Sequence, residues 1–361
     1  MRLRRLGKGT PLGATLAAVV AVGLCSGIPE ASARRAFEAG QSVTIAAVGD
    51  ILLDRGVRRQ LDLHGALYPF RGVRRELRNA DIAVGNLECP ITSRGVPAPK
   101  PISFRASPRL AAGLSDAGFD ILSLANNHTL DRGRLGLTDT LRHLNAMGIA
   151  ACGAGSTAEE AASPVVISRS GVRMAFVGFC DVVQDASYAR KDLPTVADAS
   201  PDAVRAAVKN ASRMADVVVV SMHWGCEYQP RPTDRQRRLA HAAASAGADL
   251  ILGHHPHVLQ GLEWMPAPSG RAALVAYSLG NFVFDRERDG ADLSMILRVT
   301  VTRRGVRRAE AKPCIIRACA PTPASDGPRQ SILRRLQQLS QEMGTGMSDG
   351  RTKAPPAKPT P

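Results

Sequence analysis

Val43-Thr44-Ile45-Ala46-Ala47-Val48-Gly49-Asp50-Ile51-Leu52-Leu53-Asp54-Arg55-Gly56 is the stretch on which the fold turns. Its first six residues form a short apolar run rich in β-branched side chains. Such a run reads as a buried strand, with Gly49-Asp50 as the loop that ends it. The same pattern recurs along the chain. Residues 82–84 run into Gly85-Asn86, 121–124 into Asn126-Asn127-His128, and 217–221 into His223. Residues 250–252 run into Gly253-His254, and 272–278 into Leu279-Gly280-Asn281. Helical spacing fills the intervals at 73–79, 108–117, 135–147, 203–214 and 234–246. Ser107 is a candidate N-cap, and Gly118, Gly148 and Gly247 are stops. A hairpin is expected at 164–167 and 172–178, and a last alternating strand at 293–301. Strands alternating with helices predict an α/β protein with a largely parallel or mixed sheet and helices on its faces.

Each strand in this series ends in polar residues. The carboxyl ends of strands in open α/β sheets converge on one crevice, so residues far apart in sequence would share a site. The candidates are Asp50, Asn86, Glu88, Asn126, Asn127, His128, His223, His254, His255 and His257. Carboxylates, a carboxamide oxygen and neutral imidazoles suit a divalent ion, one or two of Mn, Fe or Zn. Two adjacent ions could clamp a phosphoryl oxygen and generate hydroxide at neutral pH, and a non-ligating imidazole could protonate a leaving group. Each residue also has a plainer reading. Asp50 could cap a helix, Asn86 and Asn126 could hold tight turns, and Glu88 could be a surface charge. Three histidines within four residues at one strand end resist such an explanation. His64, His143 and His241 fall on helical or loop segments and read as surface or structural. No Gly-x-Ser-x-Gly elbow and no P-loop is present, and Gly153-Ala154-Gly155 lacks the third glycine of a dinucleotide site.

The chain has 361 residues, 44% of them hydrophobic but only 4% aromatic, so small aliphatic side chains must fill its core. The N-terminus has the three-part order of an export signal: a basic start, an apolar run at 12–28, and the small-x-small site Ala31-Ser32-Ala33. The apolar run approaches the length of a spanning helix, so an uncleaved membrane anchor is the alternative. The expected organisation is a signal at 1–33, one domain at 34–320, and a Pro/Ser/Gly-rich tail at 321–361. That tail should be largely disordered, with one short helix at 332–343. Formal net charge is +15, which attracts polyanions. The basic residues are not interleaved with aromatics as single-stranded nucleic acid requires, so no nucleic-acid partner is expected. Of seven cysteines, Cys314 and Cys319 are spaced best for a bridge. A domain of this size needs no staple, so buried thiols are expected.

Six segments resemble, in order, the motifs of CapA-type capsule poly-γ-glutamate biosynthesis proteins. They are Gly49–Gly56, Asn86-Leu87-Glu88, Ala125–Asp131, His223-Trp224-Gly225, His255-Pro256-His257-Val258 and Tyr277–Asp285. The resemblance implies a metallophosphoesterase-like two-sheet sandwich flanked by helices, placed at the cell envelope. It puts Asp50, Glu88, Asn127, His223, His255 and His257 at metal-ligand positions and His128 at the catalytic imidazole, with Asn126 and Asp131 in support. The usual phosphoesterase pattern differs at four places. Leu52 stands where a His opens the pattern, Glu88 replaces an Asp, Thr129 follows His128, and His254 precedes His255.

Two functions are therefore expected. The first is a metal-dependent hydrolase or transferase acting on an envelope substrate, either an anionic polymer such as polyglutamate or a phosphorylated compound. The second is a non-catalytic accessory protein that binds the polyanion within a membrane-bound capsule synthesis complex.

Overall fold

The computed structural model describes residues 42–182, 192–267, 270–285 and 288–356. The expected export signal, 1–33, and the last residues, 357–361, lie outside these. Alternation within single strands explains the layering. In Val43–Ile51, Val43, Ile45 and Ala47 enter one apolar core, while Ala46 and Val48 enter another. A strand buried on both faces needs a layer on each side. On one side the layer is a second sheet, which contributes Met174, Phe176, Val219, Leu250 and Leu274. On the other side lie the helices Arg55–His64, Arg74–Arg78, Gly113–Ala117 and Gly133–Ala146, through Val57, Leu61, Leu77, Leu114 and Leu137. The second sheet repeats the device. Its outer residues Val177, Val218, Val220 and Ile251 are covered by Pro201–Met214 and Asp234–Ala246. The result is the two-sheet sandwich flanked by helices.

The first sheet runs Ala320–Pro323, Gly305–Arg317, Leu293–Thr302, Val43–Ile51, Ile82–Leu87, Ile121–Ser123, Ala150–Cys152. The last four of these strands are mutually parallel. The second runs Leu262–Pro266, Ala272–Ala276, Leu250–His254, Val217–His223, Val172–Cys180, Val165–Arg169, parallel through its middle four. The first strand continues through Gly49 and Asp50 to Ile51, beyond the expected loop. It does so because Asn281–Val283 and Asn86-Leu87 flank it there in parallel register. The expected helix at 108–117 divides into Pro108–Ala111 and Gly113–Ala117. At the division Gly113 presses on the backbone of Ala66: a Cβ there would lie 2.1 Å from the Ala66 carbonyl oxygen.

The C-terminal region corrects the expectation of a largely disordered tail. Ala320–Pro323 and Arg351–Lys353 both pair with Gly305–Arg317, and Asp326–Gln341 is a helix between them. The helix buries Ile332, Leu333 and Leu336 in the inter-sheet core beside Val306, Ala309 and Ala311. Polar ties complete the attachment. Leu262 N donates to Ser340 Oγ (2.9 Å), and Trp264 Nε1 donates to Thr352 Oγ1 (2.8 Å). Composition obscured the apolar stripe at 332, 333, 336 and 339, which decides the outcome. The six cysteines of the described residues are free thiols, Cys314 and Cys319 among them.

Because Leu336 is fully buried, Leu336→Ala should lower unfolding free energy by about 2–5 kcal/mol. Chemical denaturation checks this; a tail that does not pack would give no change.

Candidate metal centre

The parallel strands of both sheets direct their carboxyl ends to one pocket. Asp50 lies in register with Asn86 and with Asn281, and His254 with His223. Gly49 permits the crowding at Asp50: a Cβ there would sit 1.8 Å from the Gly280 carbonyl oxygen, and Asp50 N donates to that same oxygen (3.0 Å). Two non-glycine residues, His255 (φ 92°) and His257 (φ 59°), adopt left-handed backbone. Each costs roughly 1–3 kcal/mol, which must be offset by contacts. Asp50 Oδ2 accepts the His255 N–H (3.2 Å), and His257 Nδ1 lies 2.9 Å from Asn281 Oδ1.

All six expected ligands come together, and each is linked to the next. Asp50 Oδ2 is 3.5 Å from His257 Nδ1. Glu88, His255 and His257 present ligand atoms all within 4.8 Å of one another. Glu88 Oε1 is 3.8 Å from His223 Nε2, which in turn is 2.9 Å from Asn127 Oδ1. Two ligands of a single ion at about 2.1 Å can span about 4.2 Å, so sub-ångström adjustment would let a cation be shared here. The polar atoms left without a partner argue the same way. Both oxygens of the fully buried Glu88 carboxylate and Nδ1 of His255 have no hydrogen-bond partner among the described residues. Burying an unpaired carboxylate is costly enough to favour its protonated form, and a divalent cation would supply the charge that keeps it ionised. The donor set therefore fits a divalent metal.

Asn86, Asn126 and Asn281 act as struts. Asn86 Nδ2 donates to Asp50 Oδ1 (2.8 Å), and Asn126 Nδ2 donates to Asn86 Oδ1 (3.1 Å) and to the Leu87 carbonyl (2.9 Å). Asn126 Oδ1 accepts the His128 N–H (3.0 Å), which fixes the loop that carries Asn127 and His128. His128 Nδ1 lies 2.8 Å from Asp131 Oδ2, and Asp131 also accepts Phe104 N–H (2.6 Å) and pairs with Lys100 Nζ (2.5 Å). Nδ1 of His128 is thus engaged, and Nε2 is the ring nitrogen left for other partners.

Cations and rings line the pocket. Lys100 Nζ donates to the Asn127 carbonyl (2.7 Å) and lies 3.4 Å from His128 Nδ1. Phe104 packs on His128, and Phe284 on His257. The Arg55 guanidinium, paired with Asp285, lies over both of those phenyl rings. Arg288 lies 4.6 Å from the ring centre of Tyr228, which faces His257.

Burial pushes His223 well below its ordinary imidazole value, and the charge of His255 adds to this. Burial likewise brings His255 down to about 3, helped by His257. Both rings are therefore neutral at pH 7 and offer lone pairs. Burial would lower His257 too, but the Glu88 and Asp50 carboxylates hold it up at about 10. Burial and the neighbouring Asp50 charge raise Glu88. Burial works against the Asp50 carboxylate as well, yet His254 and His257 hold it well below the usual range. Burial lowers His128, against the pull of Asp131.

Residues 44–286 match the family model described as bacterial capsule synthesis protein PGA_cap. The chain belongs to this family. It is 34% identical over 308 residues to the PGA biosynthesis protein CapA of Bacillus subtilis (strain 168), covering 84% of this chain and 80% of that protein. It is 32% identical over 314 residues to the capsule biosynthesis protein CapA of Bacillus anthracis, covering 85% and 75%. A probable polyglutamine synthesis accessory protein of Mycobacterium tuberculosis is 32% identical over 240 residues, covering 62% of each chain. Among solved structures, a 5'-nucleotidase precursor from Thermus thermophilus aligns at TM-score 0.47 and 12% identity, covering 82% of this chain and 59% of that one. Nothing about activity follows from that partial likeness.

Three features of this PGA_cap pocket were not assigned from sequence. Lys100 lies in a Pro-rich loop, where nothing in the local pattern marks a site. Asn281 sat at a strand end, but its partner His257 was not evident. His254 was grouped with its neighbours and given no role, yet its Nδ1 lies 3.4 Å from Asp50 Oδ1.

Because His257 is held up at about 10 and Glu88 is raised well above the usual carboxylate range in the ion-free pocket, cation binding must displace protons from both. Affinity should therefore rise with pH up to about 10, by roughly tenfold per unit for each proton displaced. Titration calorimetry with Mn²⁺ or Zn²⁺ in buffers of different ionisation enthalpy reads the release; affinity constant between pH 6.5 and 8.5 would contradict it.

Proposed function

We propose that this protein is an exported, metal-dependent hydrolase or transferase acting on an anionic substrate during synthesis or export of capsule poly-γ-glutamate at the cell envelope. The observation that carries this reading is the buried, unpartnered Glu88 carboxylate amid His223, His255 and His257. Asp50, Glu88, Asn127, His223, His255 and His257 would hold one or two divalent ions (Mn, Fe or Zn). Bound there, such ions supply Lewis acidity toward a substrate oxyanion. His128, steadied by Asp131 and the Lys100 contact, accepts and returns a proton at Nε2. Lys100, Arg55 and Arg288 favour a substrate that carries negative charge. A phosphorylated envelope compound and polyglutamate itself both meet that requirement. The N-terminal segment would deliver the domain to the envelope, as a cleaved signal or as an anchor to a membrane-bound synthesis complex.

The second reading, a non-catalytic polyanion-binding accessory protein, is favoured by one observation. Leu52 is fully buried in the apolar core, so no imidazole stands at that place in the pocket. Salt-sensitive polyglutamate binding unaffected by His128→Ala would support it.

Purified protein should carry stoichiometric Mn, Fe or Zn by elemental analysis. His255→Ala should lose the metal together with hydrolysis of a generic phosphodiester or of poly-γ-glutamate. His128→Ala should keep the metal and lose about 10²–10⁴ in kcat. Metal-free protein whose behaviour is unchanged by His255→Ala would sink the enzyme reading.

A further inference from the structure

The metal pocket occupies the carboxyl ends of the parallel strands. The opposite end of the sandwich carries a different feature. The hairpin joining Leu293–Thr302 to Gly305–Arg317 places Arg303, Arg304, Arg307 and Arg308 within six residues, all exposed. Arg304 and Arg307 join Arg271 around a cleft of about 260 Å³, closed by Ala272, Val306 and the segment Ala354-Pro355. Two carboxylates near this cleft are already engaged. Asp249 accepts from Val218 N–H (2.9 Å) and from Arg271 (3.3 Å), and Asp216 faces Arg173 (3.5 Å). Arg307 has no carboxylate partner among the described residues. Beside the cleft Arg308 stands directly opposite Lys353 across the strand pair, a like-charge pairing that weakens a sheet unless an anion lies between.

We propose that this end of the sandwich is a docking surface for an anionic membrane. Phosphodiester headgroups would seat on Arg271, Arg304 and Arg307, with Arg303, Arg308 and Lys353 around them. Planar, forked guanidinium groups suit phosphate oxygens. Position selects the membrane over a soluble anion. Val43 pairs with Val301 immediately beside the hairpin, so the chain enters the domain at this end. Retained as an uncleaved anchor, the apolar run at 12–28 leaves only 14 residues before Val43, a tether of at most about 50 Å. Met214, 42% exposed, ends the helix that borders Arg271 on its other side. Docked in this way, the protein turns the metal pocket away from the lipid. The proposal does not depend on catalysis.

Co-sedimentation of the full chain with vesicles tests it, comparing phosphatidylcholine alone with phosphatidylcholine containing phosphatidylglycerol at low salt. The apolar run binds both vesicle types alike, and the basic start of the chain adds an anionic preference common to every variant, so the difference between native protein and the hairpin variant isolates the patch. Native protein should prefer the anionic vesicles at least tenfold. The combined Arg303→Gln, Arg304→Gln, Arg307→Gln and Arg308→Gln variant should lose most of that preference, and Arg307→Gln alone should move several-fold the same way. A charge-matched control with Arg59, Arg109, Arg238 and Arg317 each changed to Gln should keep the preference. A native ratio near one, or a ratio unchanged in the hairpin variant, overturns the proposal. If the hairpin variant keeps its lipid preference but loses binding to soluble polyglutamate, the patch serves the polymer and the membrane assignment fails.

Discussion

The pocket is organised around a carboxylate that the polypeptide does not satisfy. Glu88 is fully buried, and neither of its oxygens accepts a hydrogen bond from a described residue. A protein interior does not ordinarily keep such a group without a compensating charge. The surroundings are arranged around that need. His223 and His255 are kept neutral, so they compete for no proton and repel no cation. Asp50 is held charged by imidazoles at its edge. Two histidine backbones are bent into a conformation they would otherwise avoid. These features cost free energy in the ion-free chain, and one divalent cation would offset them together.

The sandwich makes this convergence possible. Each sheet has a parallel centre, and both parallel centres point their carboxyl ends the same way. Asp50, Glu88 and Asn127 come from the first sheet, and His223, His255 and His257 from the second. Neither sheet alone carries the whole donor set, so the pocket exists only while the inter-sheet core is packed. The C-terminal helix belongs to that core, which ties a segment remote from the pocket to the pocket's geometry. Asn281, at the end of the strand beside Asp50, reaches across to His257 and links the two halves directly.

Much of this was legible in the sequence because strand ends carry simple signals. An apolar run followed by Gly-Asp or Asn-Asn-His marks both the element and its functional end, and the six candidate ligands followed from that rule together with the family resemblance. What could not be read depended on long-range approach. Lys100 reaches His128 and Asp131 from a loop whose prolines advertise only irregularity. The strand through Asp50 ran on to Ile51 because a neighbour distant in sequence paired with it. A short C-terminal helix was expected, but that it docks was masked by composition. Its four apolar positions are too few to stand out, yet burial against two strands is enough to hold it.

The departures at Leu52 and His254 bear on one another. Leu52 faces the helix-covered core, where an imidazole would be an unpaired polar group, so its apolar character is set by packing. His254 stands at the end of a strand in the opposite sheet, is 1% exposed, and brings an imidazole to 3.4 Å from Asp50 Oδ1. Neither of its ring nitrogens has a hydrogen-bond partner among the described residues. Asp50 therefore has an imidazole neighbour drawn from the second sheet, although Leu52 supplies none from the first.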